Sequence, residues 1–179
     1  DEGFRITYLK VINKLFIVAV AECSGLPAQF KLFRMEKLPK SSKSFQTLVE
    51  LKNGDNTSPI SAISIASDLS CFVVGYINGR IILVRGDLVR DRGAKQRVIF
   101  NDNTQEPITS VALNKDASFC YASTTSNILL FNTTGRNNNK PDLVLNNNSG
   151  LNLNCSSISV DKNEFICYNK GNIELYHTN

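Results

Sequence analysis

Tryptophan is absent, and the 179 residues include a single histidine and a single methionine. Without Trp, neither a sialidase-type Asp-box nor the Trp-Asp mark of a regular WD40 repeat can be written. One His and no CxxC pair leave a zinc centre or a Cys–His nucleophile without its parts. His177 therefore reads as a structural residue in a strand. Gly-x-Gly-x-x-Gly and Gly-x4-Gly-Lys-Ser/Thr are both missing, so no glycine-rich phosphate cradle is signalled. The longest apolar run, Leu15 to Ala21, falls far short of the roughly 20 residues that cross a bilayer. The opening DEGFRITYLK lacks the pattern of a signal peptide. These absences predict a soluble, non-enzymatic chain with no cofactor and no metal.

What is present points to strands and turns. Five cysteines, Cys23, Cys71, Cys120, Cys155 and Cys167, are scattered through apolar stretches, which reads as reduced, buried and cytosolic rather than disulfide-bonded. Asparagine reaches 21 residues, with runs at 137–139 and 146–148 that favour loops. Three segments align as strand, polar turn, strand, short turn, strand: PISAISIASDLSCFVVGYINGRIILVRG (59–86), PITSVALNKDASFCYASTTSNILLFNT (107–133) and LNLNCSSISVDKNEFICYNKGNIELYHT (151–178). A looser copy, RITYLKVINKLFIVAVAE with QFKLFRM, opens the chain. The alignment makes Ile63 equivalent to Val111, and Cys71 to Cys120. ISAISIA and ITSVALN alternate with period two, as on a strand with one buried face, whereas CFVVGYI is continuous, as in a strand buried on both. SDLS, NKDA and DKNE supply side-chain-locked turns, and Asn78-Gly79 signals a hairpin.

A four-stranded unit recurring at roughly 45–49 residues describes a β-propeller blade. The expected units are 4–52, 59–101, 107–148 and 151–179, the last lacking its fourth strand: an all-β, WD40-like propeller, degenerate and incomplete at about 3.75 blades of a larger ring. A β-sandwich and a β-solenoid are the alternatives. In this reading RGDLVRDRG (85–93) is a peripheral connection between third and fourth strands, with Gly86 and Gly93 allowing the chain to turn.

Charge is concentrated in two stretches. Lys31, Arg34, Lys37, Lys40 and Lys43 fall in 31–43; Arg80, Arg85, Arg90, Arg92, Lys95 and Arg97 fall in 80–97. Both span a third-to-fourth-strand connection, so they are expected on one rim, where they could meet an acidic partner or an anionic membrane. The bland alternative is two solvated loops, with Arg90 and Arg92 pairing with Asp87 and Asp91. No aromatics interleave the cations, so nucleic acid is not expected.

The stretches VVGYINGRIILVRGDLVRDRG (73–93), 107–136 and GLNLNCSSISVDKNEFICY (150–168) closely resemble the N-terminal propeller of the vacuolar protein sorting-associated protein 11 family, of fungal type. The resemblance implies a propeller followed by an α-solenoid and a RING finger, in a core subunit shared by the HOPS and CORVET membrane-tethering complexes. Its implied partners are the other complex subunits and, indirectly, Rab GTPases and SNAREs. Its implied place is the cytosolic face of vacuole, lysosome and endosome membranes. It carries over no catalytic residues. The implied role is a non-catalytic protein-interaction module; the alternative is a propeller that binds anionic membrane surfaces through its basic loops.

Overall fold

The computed structural model describes residues 3–35, 46–52, 54, 57–90, 92–101, 105–135, 139–146, 154–158, 164–169 and 172–177. Fifteen strands and no helix are described, forming four antiparallel sheets in which every strand pairs with its neighbour in sequence. The first sheet joins β1 (Arg5–Ile12), β2 (Phe16–Glu22), β3 (Gln29–Arg34) and β4 (Gln46–Glu50). The second joins β5 (Ile60–Ile65), β6 (Cys71–Tyr76), β7 (Arg80–Asp87) and β8 (Arg92–Asn101). The third joins β9 (Ser110–Leu113), β10 (Phe119–Ser123), β11 (Asn127–Asn132) and β12 (Leu143–Asn146). The fourth has three described strands, β13 (Asn154–Ile158), β14 (Glu164–Asn169) and β15 (Asn172–His177). First strands lie side by side, β5 against β9 and β9 against β13. Up-and-down sheets stacked face to face through their first strands are an incomplete β-propeller-like fold, the architecture the repeat predicts.

The core lies between sheets. β6 is buried at every position because its two faces serve two neighbours. Phe72, Val74 and Tyr76, with Ile82 and Val84 of β7, pack against Val18, Val20, Phe30 and Leu32 of the first sheet. The alternate residues Cys71 and Val73, with Ile81 and Leu83, pack against Ile108, Val111, Cys120, Ala122 and Phe131 on the third-sheet side. Phe30 and Phe72 stack at 4.2 Å with rings 7° apart, and Phe100 meets Phe131 at 5.6 Å. Such pairs add roughly 0.5–1.5 kcal/mol to the burial of their rings.

The same facing corrects one sequence equivalence. Cys71 faces the third sheet, whereas Cys120 faces back toward the second, so the two cysteines do not correspond. Phe72 is the counterpart of Cys120: its strand partner Ile65 lies two residues beyond Ile63, just as Leu113 lies two beyond Val111. A one-residue slip exchanges the faces of a strand, and single-letter likeness between two cysteines outweighed the pleat. Cys71 and Cys120 are buried, and burial pushes the Cys71 thiol up to about 11; Cys23 is half-buried, against expectation. The side chains of Cys155, Cys167 and His177 lie outside the described residues.

Turn chemistry fixes the register. Asp68 Oδ1 accepts from the Ser70 amide at 3.0 Å and the Ser70 hydroxyl at 2.7 Å; Asp116 does the same for Ser118 at 3.1 and 2.6 Å. Asp161, the third member predicted for this set, lies outside the described residues. The residue between each pair, Leu69 or Ala117, takes a positive φ (58° and 53°) and is buried. An apolar side chain in the left-handed region is strained, and the Asp–Ser lock together with burial of the side chain holds it there. The hairpin at Asn78-Gly79 forms, but only Gly79 has positive φ (82°), so the loop is a three-residue turn ending in a left-handed glycine rather than a type I′ pair. RGDLVRDRG is also revised. Arg85, Gly86 and Asp87 belong to β7 and Arg92 already belongs to β8, with Asp87 opposite Arg92, so a tight turn joins two long strands. Gly86 (φ 150°) marks a bulge between Arg85 and Asp87.

Two predictions follow from this geometry. Gly75 abuts the third sheet so closely that an added Cβ would lie 2.5 Å from Ile108 Cγ2 and 2.9 Å from Ile108 Cβ. Gly75→Ala is expected to destabilise by about 1–3 kcal/mol, read as a lower urea midpoint; an unchanged midpoint would contradict the close stacking. Ser70 holds the Asp68 carboxyl below its ordinary pKa of 3.8. A lowered folded pKa gives stability that is present above the unfolded value and lost as pH falls through the folded one. The stability difference between wild type and Asp68→Ala should therefore be constant near neutrality and shrink below about pH 4, measured by urea unfolding across pH.

Candidate functional site

The predicted cations that are described fall at different places on the sheets. Lys37, Lys40 and Lys43 lie outside the described residues, as does the side chain of Arg92. Lys31 is half-buried in the register row Leu9–Ala19–Lys31–Leu48. Its neighbours Phe30 and Leu32 pack against the second sheet, so Lys31 belongs to the opposite face of the first sheet. Arg34, exposed, ends β3 as Asp87 ends β7, which places both on the same rim. Arg80 starts β7 at the other end, about 23 Å from Asp87 at the usual strand rise. Its Nε donates to Asn101 Oδ1 at 3.5 Å and its Nη1 to the Gly54 carbonyl at 3.4 Å.

The structure gathers Arg85, Lys95 and Arg97. Arg85 stands opposite Lys95 across the β7–β8 ladder, and Arg97 stands opposite Leu83, two positions along on the same face. All three line a cleft of about 520 Å³ together with Leu83, Gln96, Thr133, Thr134 and Gly135 of the neighbouring sheet. Arg85 Nη1 donates to the Ala117 carbonyl and to Thr133 Oγ1, both at 2.9 Å. Arg97 Nη2 donates to the Thr133 carbonyl at 2.7 Å, and its Nη1 to the Gly135 carbonyl. The acceptors are 32 to 48 residues away in the chain, so the two guanidinium groups tie the second sheet to the turns of the third. Asn132 Oδ1 braces the receiving loop by accepting from the amides of Thr134 and Gly135 and from the Thr134 hydroxyl.

Arg90 sits apart from this cleft. Its side chain is 75% exposed and pairs with Asp87 at 3.8 Å, a surface contact worth roughly 0–1 kcal/mol. This is one of the two pairs of the bland reading; the other, Arg92 with Asp91, lies outside the described residues, and Asp87 also accepts from the Val89 and Arg90 amides to form the turn. Sequence reasoning saw the charge of Arg85 and Arg97 but missed their bonding, since partners one repeat away leave no local signal. Arg97→Met keeps the aliphatic stem and removes both bonds. It is expected to cost about 1–3 kcal/mol in unfolding free energy by stranding two carbonyls, and an unchanged midpoint would deny the tie between the sheets.

The human vacuolar protein sorting-associated protein 11 homolog is 22% identical over 159 residues, covering 87% of this chain and 16% of the human protein. The Dictyostelium discoideum homolog is 29% identical over 129 residues, covering 72% of this chain and 13% of that protein. The chain thus spans less than a fifth of the length of these curated relatives. Among solved structures, a complex of KlAtg21 with the coiled coil of AgAtg16 superposes with a TM-score of 0.62 at 10% identity, covering 98% of this chain and 66% of that one, a likeness of fold alone. A family model described as PEP5/VPS11 N-terminal matches residues 1–179, and the chain belongs to that family.

Proposed function

We propose that this chain is a non-catalytic protein-interaction module of a membrane-tethering subunit of the HOPS/CORVET type, acting in endosome-to-vacuole or lysosome trafficking. The observation that carries the reading is the family match over all 179 residues. The relatives bear the name vacuolar protein sorting-associated protein, which supports the pathway. Its partners in this reading are the other subunits of a multiprotein complex, with Rab GTPases and SNAREs reached through them, at the cytosolic face of vacuole and endosome membranes. No helix among the described residues is long and apolar enough to cross a membrane.

A non-catalytic role fits what the repeated carboxylates do. Asp68 and Asp116 lock equivalent turns and Asp87 caps another, so their recurrence has a structural cause. We assign the units 4–52, 59–101, 107–148 and 151–179 as successive blades that present their rims to partners. The test is deletion of this segment from the full-length protein in cells. Loss of association with the partner subunits and missorting of a vacuolar hydrolase are expected; intact assembly and intact sorting would refute the assignment.

A further inference from the structure

The cleft between the second and third sheets has a charge balance that the apolar stacking does not require. Two half-buried guanidinium groups and the exposed ammonium of Lys95 line it. Among the described residues, Arg85 and Arg97 donate to neutral oxygens, namely the carbonyls of Ala117, Thr133 and Gly135 and the Thr133 hydroxyl. Lys95 makes no hydrogen bond or ion pair among the described residues. Asp68 senses Arg85 only as the smallest of five influences on its carboxyl, which is held by Ser70. Three positive charges therefore face one open space with no carboxylate bonded to any of them among the described residues.

Like charges brought together without counter-charge repel one another, and an anion in the space relieves that repulsion. The acceptor carbonyls keep both arginines extended across the cleft, so their forks are already oriented before any ligand arrives. Each guanidinium has five N–H donors. Arg85 uses Nη1 alone and Arg97 leaves Nε over, so both retain donors for a ligand. Thr134 lines the same wall, but its hydroxyl proton is already given to Asn132 Oδ1, so the donors left for a ligand are those of the two arginines and Lys95. Planar forks and an exposed ammonium match the terminal oxygens and near-double charge of a phosphate monoester. A volume of about 520 Å³ leaves room for the sugar or glycerol that carries the phosphate.

We propose that the cleft formed by Arg85, Lys95 and Arg97 with Thr133, Thr134 and Gly135 is a binding site for a phosphate monoester, borne by a soluble metabolite or by a lipid headgroup. The test of this site does not read assembly of the complex.

The test uses the full-length protein with two probes of one chemistry, glycerol 3-phosphate in solution and phosphatidylcholine vesicles containing phosphatidic acid. Vesicles with phosphatidylserine at matched charge present a phosphodiester as the control. Lys95→Gln and Lys95→Glu are the informative variants, because Lys95 is exposed and bonds to nothing that the fold needs; an unchanged urea midpoint confirms that they fold. Saturable binding of glycerol 3-phosphate by calorimetry, weakened about tenfold by K95Q and more by K95E, supports a soluble source. Preference for phosphatidic acid over phosphatidylserine vesicles, competed by glycerol 3-phosphate and weakened by the same variants, supports a lipid source. Failure to bind either probe overturns the proposal. So does equal binding to both vesicle types, or binding that K95E leaves as strong as wild type.

Discussion

The second sheet cannot exist alone. Every residue of β6 is buried, and no single neighbour can bury both faces of one strand. Phe72 and Val74 need the first sheet; Cys71 and Val73 need the third. Burying a large apolar side chain contributes about 1.5–3 kcal/mol, so the removal of either neighbour would return several such side chains to water at once. Stacking is thus a condition of folding for each unit, which is the logic of radial repeats. Gly75 shows how tight the condition is: the absent side chain is what lets Ile108 of the next unit come so close.

Stacking in turn demands exact register, since the pleat assigns each residue to one neighbour or the other. The Asp-x-Ser turns supply that register locally. In each, a carboxylate holds the serine two residues on, and the intervening Leu69 or Ala117 is driven into the left-handed region while its side chain fills the interface beneath. The turn and the core are therefore one device. A glycine there would relax the backbone and leave a void; the observed residues accept strain to avoid the void.

Strand positions, the fourfold unit and the outer strands were legible in the sequence because a period of two and turn residues are local signals. The limits of that legibility fall at particular residues. Cys71 was matched to Cys120 by identity, where the pleat puts Phe72. Gly86 suggested a turn but lies inside β7 as a bulge, so the long loop expected over 85–93 contracts to a short one between two long strands. Gly79 behaves as expected and Asn78 does not, because a three-residue turn needs only one left-handed position. The cleft was half legible. Its charges are visible in RGDLVRDRGAKQR, but nothing near them shows that Arg85 and Arg97 reach a different repeat.

That last point separates two kinds of positive charge that composition treats alike. Arg90 projects into solvent beside Asp87, where its field is screened within about 8–10 Å at physiological salt. Arg85 and Arg97 lie half-buried between sheets, where screening is weaker and each hydrogen bond is stronger. Tying two blades together through neutral carbonyls satisfies the geometry of a guanidinium but leaves its charge uncompensated. The seam between the second and third sheets thus holds charge to which no carboxylate is bonded among the described residues, while Arg90 on the surface holds charge that water already shields. Relatives sharing 22–29% of their residues can retain the stacking through pattern alone, since interchangeable apolar side chains keep each face buried. Polar ties across a seam have no such interchangeability: an arginine fork and a carbonyl pair must both be present at matched positions.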